Sequence, residues 1–423
     1  MIRPVEHPEW GPGFQEYIRT FHRRLHSAFD KYIDEEEVIV DTSRDLIPLR
    51  LLETTLAVGE NMHLVGFQTG DRIFPALIGS LRKYSALYGE RIFDHYYGFL
   101  CVRHLVRMVC IGVLNTLRKF EATLEELSPD MPWVRLLNVL SNATFLCAGE
   151  LLRKYDDSIF LEGPLFLDDA ALSSNDAKFL QDLLWKNRDL IIPLCTQDAL
   201  PGLPALILVT SQLIGYTLTP ADETGHDWLG LMDISLRCYL GCLSGPAETG
   251  EECHVLRRVT GFAVGRLENP NLVVTGTFDV WLAVDEEDAR TITEMYSNLP
   301  NPESPATPLN LHYIILRWVF TTLSNPRRPA LEELALGVFK TALAMMQAEI
   351  DQESEGLMSK YSRGMLTICT RDVVEHINTF VSNKPKPEVQ RAFFVALIDS
   401  NIYGTIGRVL ALITREKGML SNL

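Results

Sequence analysis

The stretch IFDHYYGFLCVRHLVRMVCIGVLNTLRKF, Ile92–Phe120, decides the fold class. Phe99, Val102, Val106, Val109, Val113, Leu117 and Phe120 recur at steps of three or four, which lays them on one stripe of an α-helix. Leu100, Leu105, Met108 and Leu114 widen that stripe until most of the circumference is apolar. A helix apolar nearly all round has to be wrapped by other helices, so this segment reads as the centre of an all-α body. Within it, Arg103, His104 and Arg107 interrupt the apolar surface, with the two arginines one turn apart. Ionised groups there must pair or face water. Two arrangements meet that demand: acids arriving from neighbouring helices, or a groove that accepts an acidic ligand segment. Arg103, His104 and Arg107 are therefore the candidate partner-groove residues.

The helical rhythm continues outward on both sides. Met1–Gly13 is rich in Pro and Gly and reads as an irregular lead-in to a helix at Phe14–Ile33. A short helix through Ala57 and another at Ile73–Tyr88 follow. Beyond the centre, Ser128-Pro129-Asp130-Met131-Pro132 is a helix start whose apolar surface runs to Tyr155. Asp156–Ser174 breaks the rhythm as a loop or insertion. Ser174 or Asn175 then caps a helix that Pro193 ends. Helices are expected at Leu203–Leu218, Trp228–Leu243 and Glu251–Leu267. Leu272–Val284 mixes strand-forming residues with helical spacing and is assigned to helix from its setting. Four prolines in Leu299–Pro308 mark a linker at 299–308 between a main helical array, 1–298, and a C-terminal helical group, 309–423. That group is expected to hold helices at Leu309–Leu323, Ala330–Gln352, Lys360–Val381, Glu388–Ile398 and Ile402–Arg415.

Proline opens several helices, as in Pro132-Trp133-Val134-Arg135-Leu136, Pro329-Ala330-Leu331-Glu332-Glu333-Leu334 and Pro387-Glu388-Val389-Gln390-Arg391-Ala392. In that texture the chain loosely resembles armadillo and HEAT arrays, which stack helices of this length around short proline-bearing turns. No common period joins the three openings, so the resemblance is one of packing style. It implies an irregular multi-helical, solenoid-like array.

The 423 residues carry 55 acids against 39 Lys and Arg, a formal charge of −16 that repels nucleic-acid backbones and anionic membranes. The basic group Arg19, His22, Arg23, Arg24 and His26 is followed at once by Asp30 and Asp34–Glu37, which reads as a solvated helix face. Eight cysteines lie mostly in apolar periodic segments, and the N-terminus lacks a secretory apolar core, so a reducing cytoplasmic or nuclear compartment is expected. Ser421-Asn422-Leu423 departs from a peroxisomal address at its middle residue. Ile92–Phe120 has charge at its middle, and the uncharged Ala199–Ala221 is interrupted by prolines. Both are expected to be buried helices, the second being shorter than the roughly 20 residues a bilayer needs.

Cys238 and Cys242, one helical turn apart, precede Cys253-His254 and make a zinc constellation on paper. The surrounding Tyr239, Leu240 and Leu243 favour buried thiols instead. His22 and His26 lack the glutamate of a zinc peptidase, and His226-Asp227 has no nucleophile beside it. The acid pairs Asp156-Asp157 and Asp168-Asp169 are not followed by an acid at the fifth position, which a shared magnesium site needs. Asp285-Glu286-Glu287-Asp288 reads as a set of acids at a helix N-terminus. No phosphate-cradling loop, nucleophile elbow, His-Glu-x-x-His or Cys-x-x-Cys occurs. The expectation is a non-catalytic intracellular interaction or scaffold protein, with a protein partner and no metal or cofactor. An enzyme whose pocket is assembled from distant residues is the alternative.

Overall fold

The computed structural model describes residues 7, 9–33, 46–59, 73–126, 136–154, 172–217, 225–243, 250–267, 283–299, 309–323, 331–354, 360–383 and 385–420. Among the described residues the chain is all-α, with no strand. It divides into two units, Met1–Thr275 and Gly276–Leu423.

The first unit holds α1 (Phe14–Ile33), α2 (Leu49–Gly59), α3 (Ile73–Tyr88), α4 (Tyr96–Thr116), α5 (Phe120–Glu125) and α6 (Leu136–Lys154). It continues with α7 (Ser174–Lys186), α8 (Ile191–Thr196), α9 (Leu203–Thr217), α10 (Gly225–Leu243) and α11 (Gly250–Leu267). α4 is the expected central helix, buried from Tyr96 through Ile111, with α2, α3, α6 and α9 packed against it. The apolar run is not one helix, however. A 3-10 turn, Ile92–Asp94, precedes it, and the left-handed Arg118 (φ 55°) stops it before α5 begins at Phe120. Lys119 N–H donates to the Leu114 carbonyl at 2.8 Å, which closes the end of α4 by folding the chain back.

The start of α4 depends on the lead-in. Tyr96 N–H donates to the Pro12 carbonyl at 3.0 Å and Tyr97 N–H to the Trp10 carbonyl at 3.1 Å, satisfying two amides that no helical partner reaches. The Trp10 ring lies 4.8 Å from Tyr97, 4.8 Å from Tyr88 and 5.1 Å from Tyr84, so the lead-in is bolted into an aromatic nest.

Pro193 does not end the helix that begins at Ser174. That helix stops at Lys186, and Pro193 falls in the first turn of α8, where its missing N–H leaves nothing unpaired. The Ser173 side chain caps α7 by accepting from Asp176 N–H. On α10, Asp233 is buried and accepts from Arg237 at 3.2 Å, with Arg188 at 3.3 Å from the same oxygen. Every residue of α9 from 203 to 215 is buried, and α4 is buried from Tyr96 through Ile111. The two stretches of the first unit that the sequence raised as membrane candidates are therefore interior helices.

The second unit comprises α12 (Glu286–Ser297), α13 (Leu309–Leu323), α14 (Glu332–Ser354), α15 (Lys360–Ser382), α16 (Pro387–Asp399) and α17 (Ile402–Leu420). Asp285 caps α12 by accepting from Asp288 N–H at 2.9 Å, while Asp288 accepts from Val284 N–H at 2.7 Å, a reciprocal pair that uses the acid run at a helix start. α12 packs on α13 and α14. Contacts therefore place α12 with the second unit, and the chain divides at 275/276, upstream of the 299–308 segment. Residues 300–308 lie outside the described residues, as do 268–282.

Candidate functional site

Arg103, His104 and Arg107 are 1%, 1% and 0% exposed, so they sit inside the first unit and do not line an open groove. Their partners include three carbonyl oxygens. Arg103 donates to the Ala199 carbonyl and lies over the Phe21 ring at 5.0 Å. Arg107 donates to the Leu56 carbonyl at 3.3 Å and to His104 Nδ1 at 3.1 Å. His104 Nε2 lies 2.9 Å from the Leu52 carbonyl, an acceptor only, which fixes the proton on Nε2 and leaves Nδ1 to accept from Arg107. Burial first, then Arg107, push the His104 imidazole down to about 3, so it is neutral at pH 7. The trio ties α4 to α2 and to the turn after α8.

That turn forms one wall of a cavity of about 180 Å³. Asp198 (φ 51°) and Gly202 (φ 85°) both adopt left-handed backbone to make it. A Cβ at Gly202 would lie 2.9 Å from Val106, 3.1 Å from the Cys110 sulfur and 3.2 Å from the Ser141 hydroxyl, so only glycine lets the turn close on α4 and α6. α6 contributes Ser141 and Asn142, α10 contributes Cys242, and α11 contributes Glu252.

Glu252 is the acid at the centre of this arrangement. Burial pushes its carboxyl up to about 7, and the Asp198 carboxylate adds to the rise. The Cys242 thiol, which donates at 3.6 Å, and the Ser141 hydroxyl oppose it by favouring the ionised form. Burial also raises the thiols of Cys238 and Cys242 well above their ordinary value, which leaves them protonated and poorly nucleophilic. Cys195 lies 3.9 Å from Cys238, sulfur to sulfur.

The four residues of the zinc constellation are divided between two helices, Cys238 and Cys242 on α10 and Cys253 and His254 on α11. Among the described residues no three His, Cys, Asp or Glu side chains gather to hold a metal ion. The side chains of His22, His26 and His226, and the pairs Asp156-Asp157 and Asp168-Asp169, lie outside the described residues.

The second unit presents a different feature. Phe394, Val395, Ile398, Tyr403 and Leu410 are exposed, Ile398 by 69% and Tyr403 by 82%, and all lie on α16 and α17. These helices meet at 49° around Asn401, whose left-handed backbone (φ 50°) asparagine tolerates better than most residues. Phe394 and Ile398 are one turn apart on α16, and Tyr403 and Leu410 are two turns apart on α17. The outcome is one short exposed apolar stripe on each helix. Their inner faces, through Phe393, Leu397, Ile402 and Val409, are spent on the core.

Compared with protein-family models, curated proteins and solved structures, the chain matches none.

Proposed function

We propose that this chain is a non-catalytic interaction protein, and that its α16–α17 face receives an apolar, amphipathic helix of a protein partner. One observation carries the reading: five large apolar side chains are exposed together within residues 394–410. Large apolar side chains left exposed on neighbouring helices are a mark of interaction sites, and stripes at helical spacing fit a partner stripe at i, i+3, i+4 and i+7. The second unit is also consistent with an armadillo- or HEAT-like array, which we include in the proposal. From α12 to α17, most helices pack against the next and the next but one, the ladder of a stacked array. A reducing cytoplasmic or nuclear setting is supported by eight cysteines left as thiols.

The test uses a designed amphipathic helical peptide with leucines at i, i+3, i+4 and i+7. Binding that slows amide exchange across residues 391–411, and that Ile398→Glu abolishes, supports the reading. Concentration-dependent dimerisation removed by the same substitution assigns the face to a second copy. Sedimentation with lipid vesicles assigns it to a membrane. Either outcome overturns the proposal, as does peptide binding that Ile398→Glu leaves intact.

A further inference from the structure

Three thiols converge where α8 meets α10. Cys195 lies in the last turn of α8, and Cys238 and Cys242 are one turn apart on α10. Their partners divide them. Cys242 donates to the Glu252 carboxyl at 3.6 Å, whereas the Cys238 sulfur lies 3.9 Å from the Cys195 sulfur. Gly241, three residues after Cys238 and so on the same side of α10, is what lets the helices come this close. A Cβ there would lie 2.5 Å from the Cys195 Cβ, so no side chain stands between that face of α10 and the end of α8. A disulfide brings its sulfurs to about 2 Å. The remaining approach, about 1.9 Å, is of the size that rotation about the two Cα–Cβ bonds supplies.

We propose that Cys195 and Cys238 are a redox pair that forms a reversible disulfide, Cys195 being oxidised first by a small hydroperoxide and Cys238 resolving it. Exposure sets that order. Cys238 is fully buried, while Cys195 is half-buried and lines the cavity of about 180 Å³. A void of similar volume in another protein accommodates benzene, so a hydroperoxide of a few heavy atoms has room beside Cys195. In a reducing compartment such a bond is transient, as befits a sensing pair and not a structural staple.

The chemistry balances in two steps. The Cys195 sulfur attacks one oxygen of the hydroperoxide, the O–O bond breaks, and the departing oxyanion takes the thiol proton. With hydrogen peroxide the products are a sulfenic acid on Cys195 and one water. The Cys238 sulfur then attacks the Cys195 sulfur, the S–O bond breaks, and the released hydroxide takes the Cys238 proton as a second water. The two sulfurs together lose two electrons, and the two peroxide oxygens gain them. Burial holds the Cys238 thiol well above its ordinary value, which makes it a poor target for a free oxidant. Contact with Cys195 offsets that weakness in the second step, where both reacting atoms are already held together.

The experiment treats the reduced full chain, at low concentration, with hydrogen peroxide, alkylates the remaining thiols and maps the proteolytic peptides without reduction. A Cys195–Cys238 cross-link is expected to dominate, with a loss of about two mass units from the intact chain, and dithiothreitol should remove it. Cys195→Ser should cut the cross-linked fraction at least about tenfold, because no other thiol starts the sequence. Cys147→Ser, which removes a half-buried thiol of α6, should leave it unchanged. In Cys238→Ser the sulfenic acid on Cys195 has lost its resolving thiol, and a 1,3-diketone present during oxidation should trap it there. A dominant link between any other two cysteines, no link in the folded chain, or failure of the diketone to label Cys195 overturns the proposal. Should a serine variant fail to fold, the peptide map of the unaltered chain still decides it.

Discussion

At the scale of single residues, backbone carbonyl oxygens are part of how α4 holds two arginines and a histidine. The sequence flags Arg103, His104 and Arg107 because charge on an apolar helix is conspicuous. It does not show the answer, because carbonyl oxygens of Leu52, Leu56 and Ala199 belong to the backbone and leave no mark in residue identity. His104 carries a consequence for pH. Its pKa in the folded chain, about 3, is below its unfolded value near 6.5, so the unfolded chain binds the extra proton first. The stability tied to neutral His104 is complete above pH about 6.5 and is lost as pH falls toward 3. His104→Gln keeps a donor for Leu52 without the titration. It should reduce the loss of stability between pH about 6.5 and about 4.5 by about 2 kcal/mol, measured by urea unfolding at several pH values. Equal slopes for both chains would refute the assignment of a neutral, buried His104. The cavity was illegible for a related reason. Ser141, Asp198, Cys242 and Glu252 are far apart in sequence, sit on separate elements, and match no spacing rule.

At the scale of elements, periodicity placed most helices to within a few residues, because each buries a stripe that repeats at 3.6 positions. It missed the break at Asn187, where the Asn187 side-chain amide donates to the Leu183 and Glu90 carbonyls and the chain turns. Close approach of helices was equally hidden. A Cβ at Gly241 would lie 2.5 Å from the Cys195 Cβ, so α8 and α10 can touch there only through glycine. Gly241→Ala should cost about 2 kcal/mol, since a Cβ is no flexible tip that can swing aside. Gly261 on α11 is exposed with nothing within 4 Å of its would-be Cβ. Gly261→Ala should stabilise by about 0.5–1 kcal/mol through helix propensity alone. Chemical denaturation of the pair distinguishes packing from propensity: both substitutions shifting the midpoint in the same direction would contradict this reading.

At the scale of the whole molecule, the all-α class was legible from one apolar segment. Proline density marks 299–308, but the division of contacts follows α12, which packs on α13 and α14. Linker composition reports where the backbone resists regular structure, and core membership is decided by which faces pack together. Residues 1–275 and 276–423, expressed separately, should each unfold cooperatively, as followed by circular dichroism and calorimetry. A cut at 298/299 should leave the second fragment without α12 and lower its midpoint. The lead-in brings a last consequence of a practical kind. Anyone trimming this protein would begin at Phe14, where regular structure starts, and would discard Trp10 and Pro12 as ragged ends. That trim pulls a cork: the tyrosine nest loses its filler, the first amides of the central rod lose their acceptors, and fraying begins at the heart of the fold.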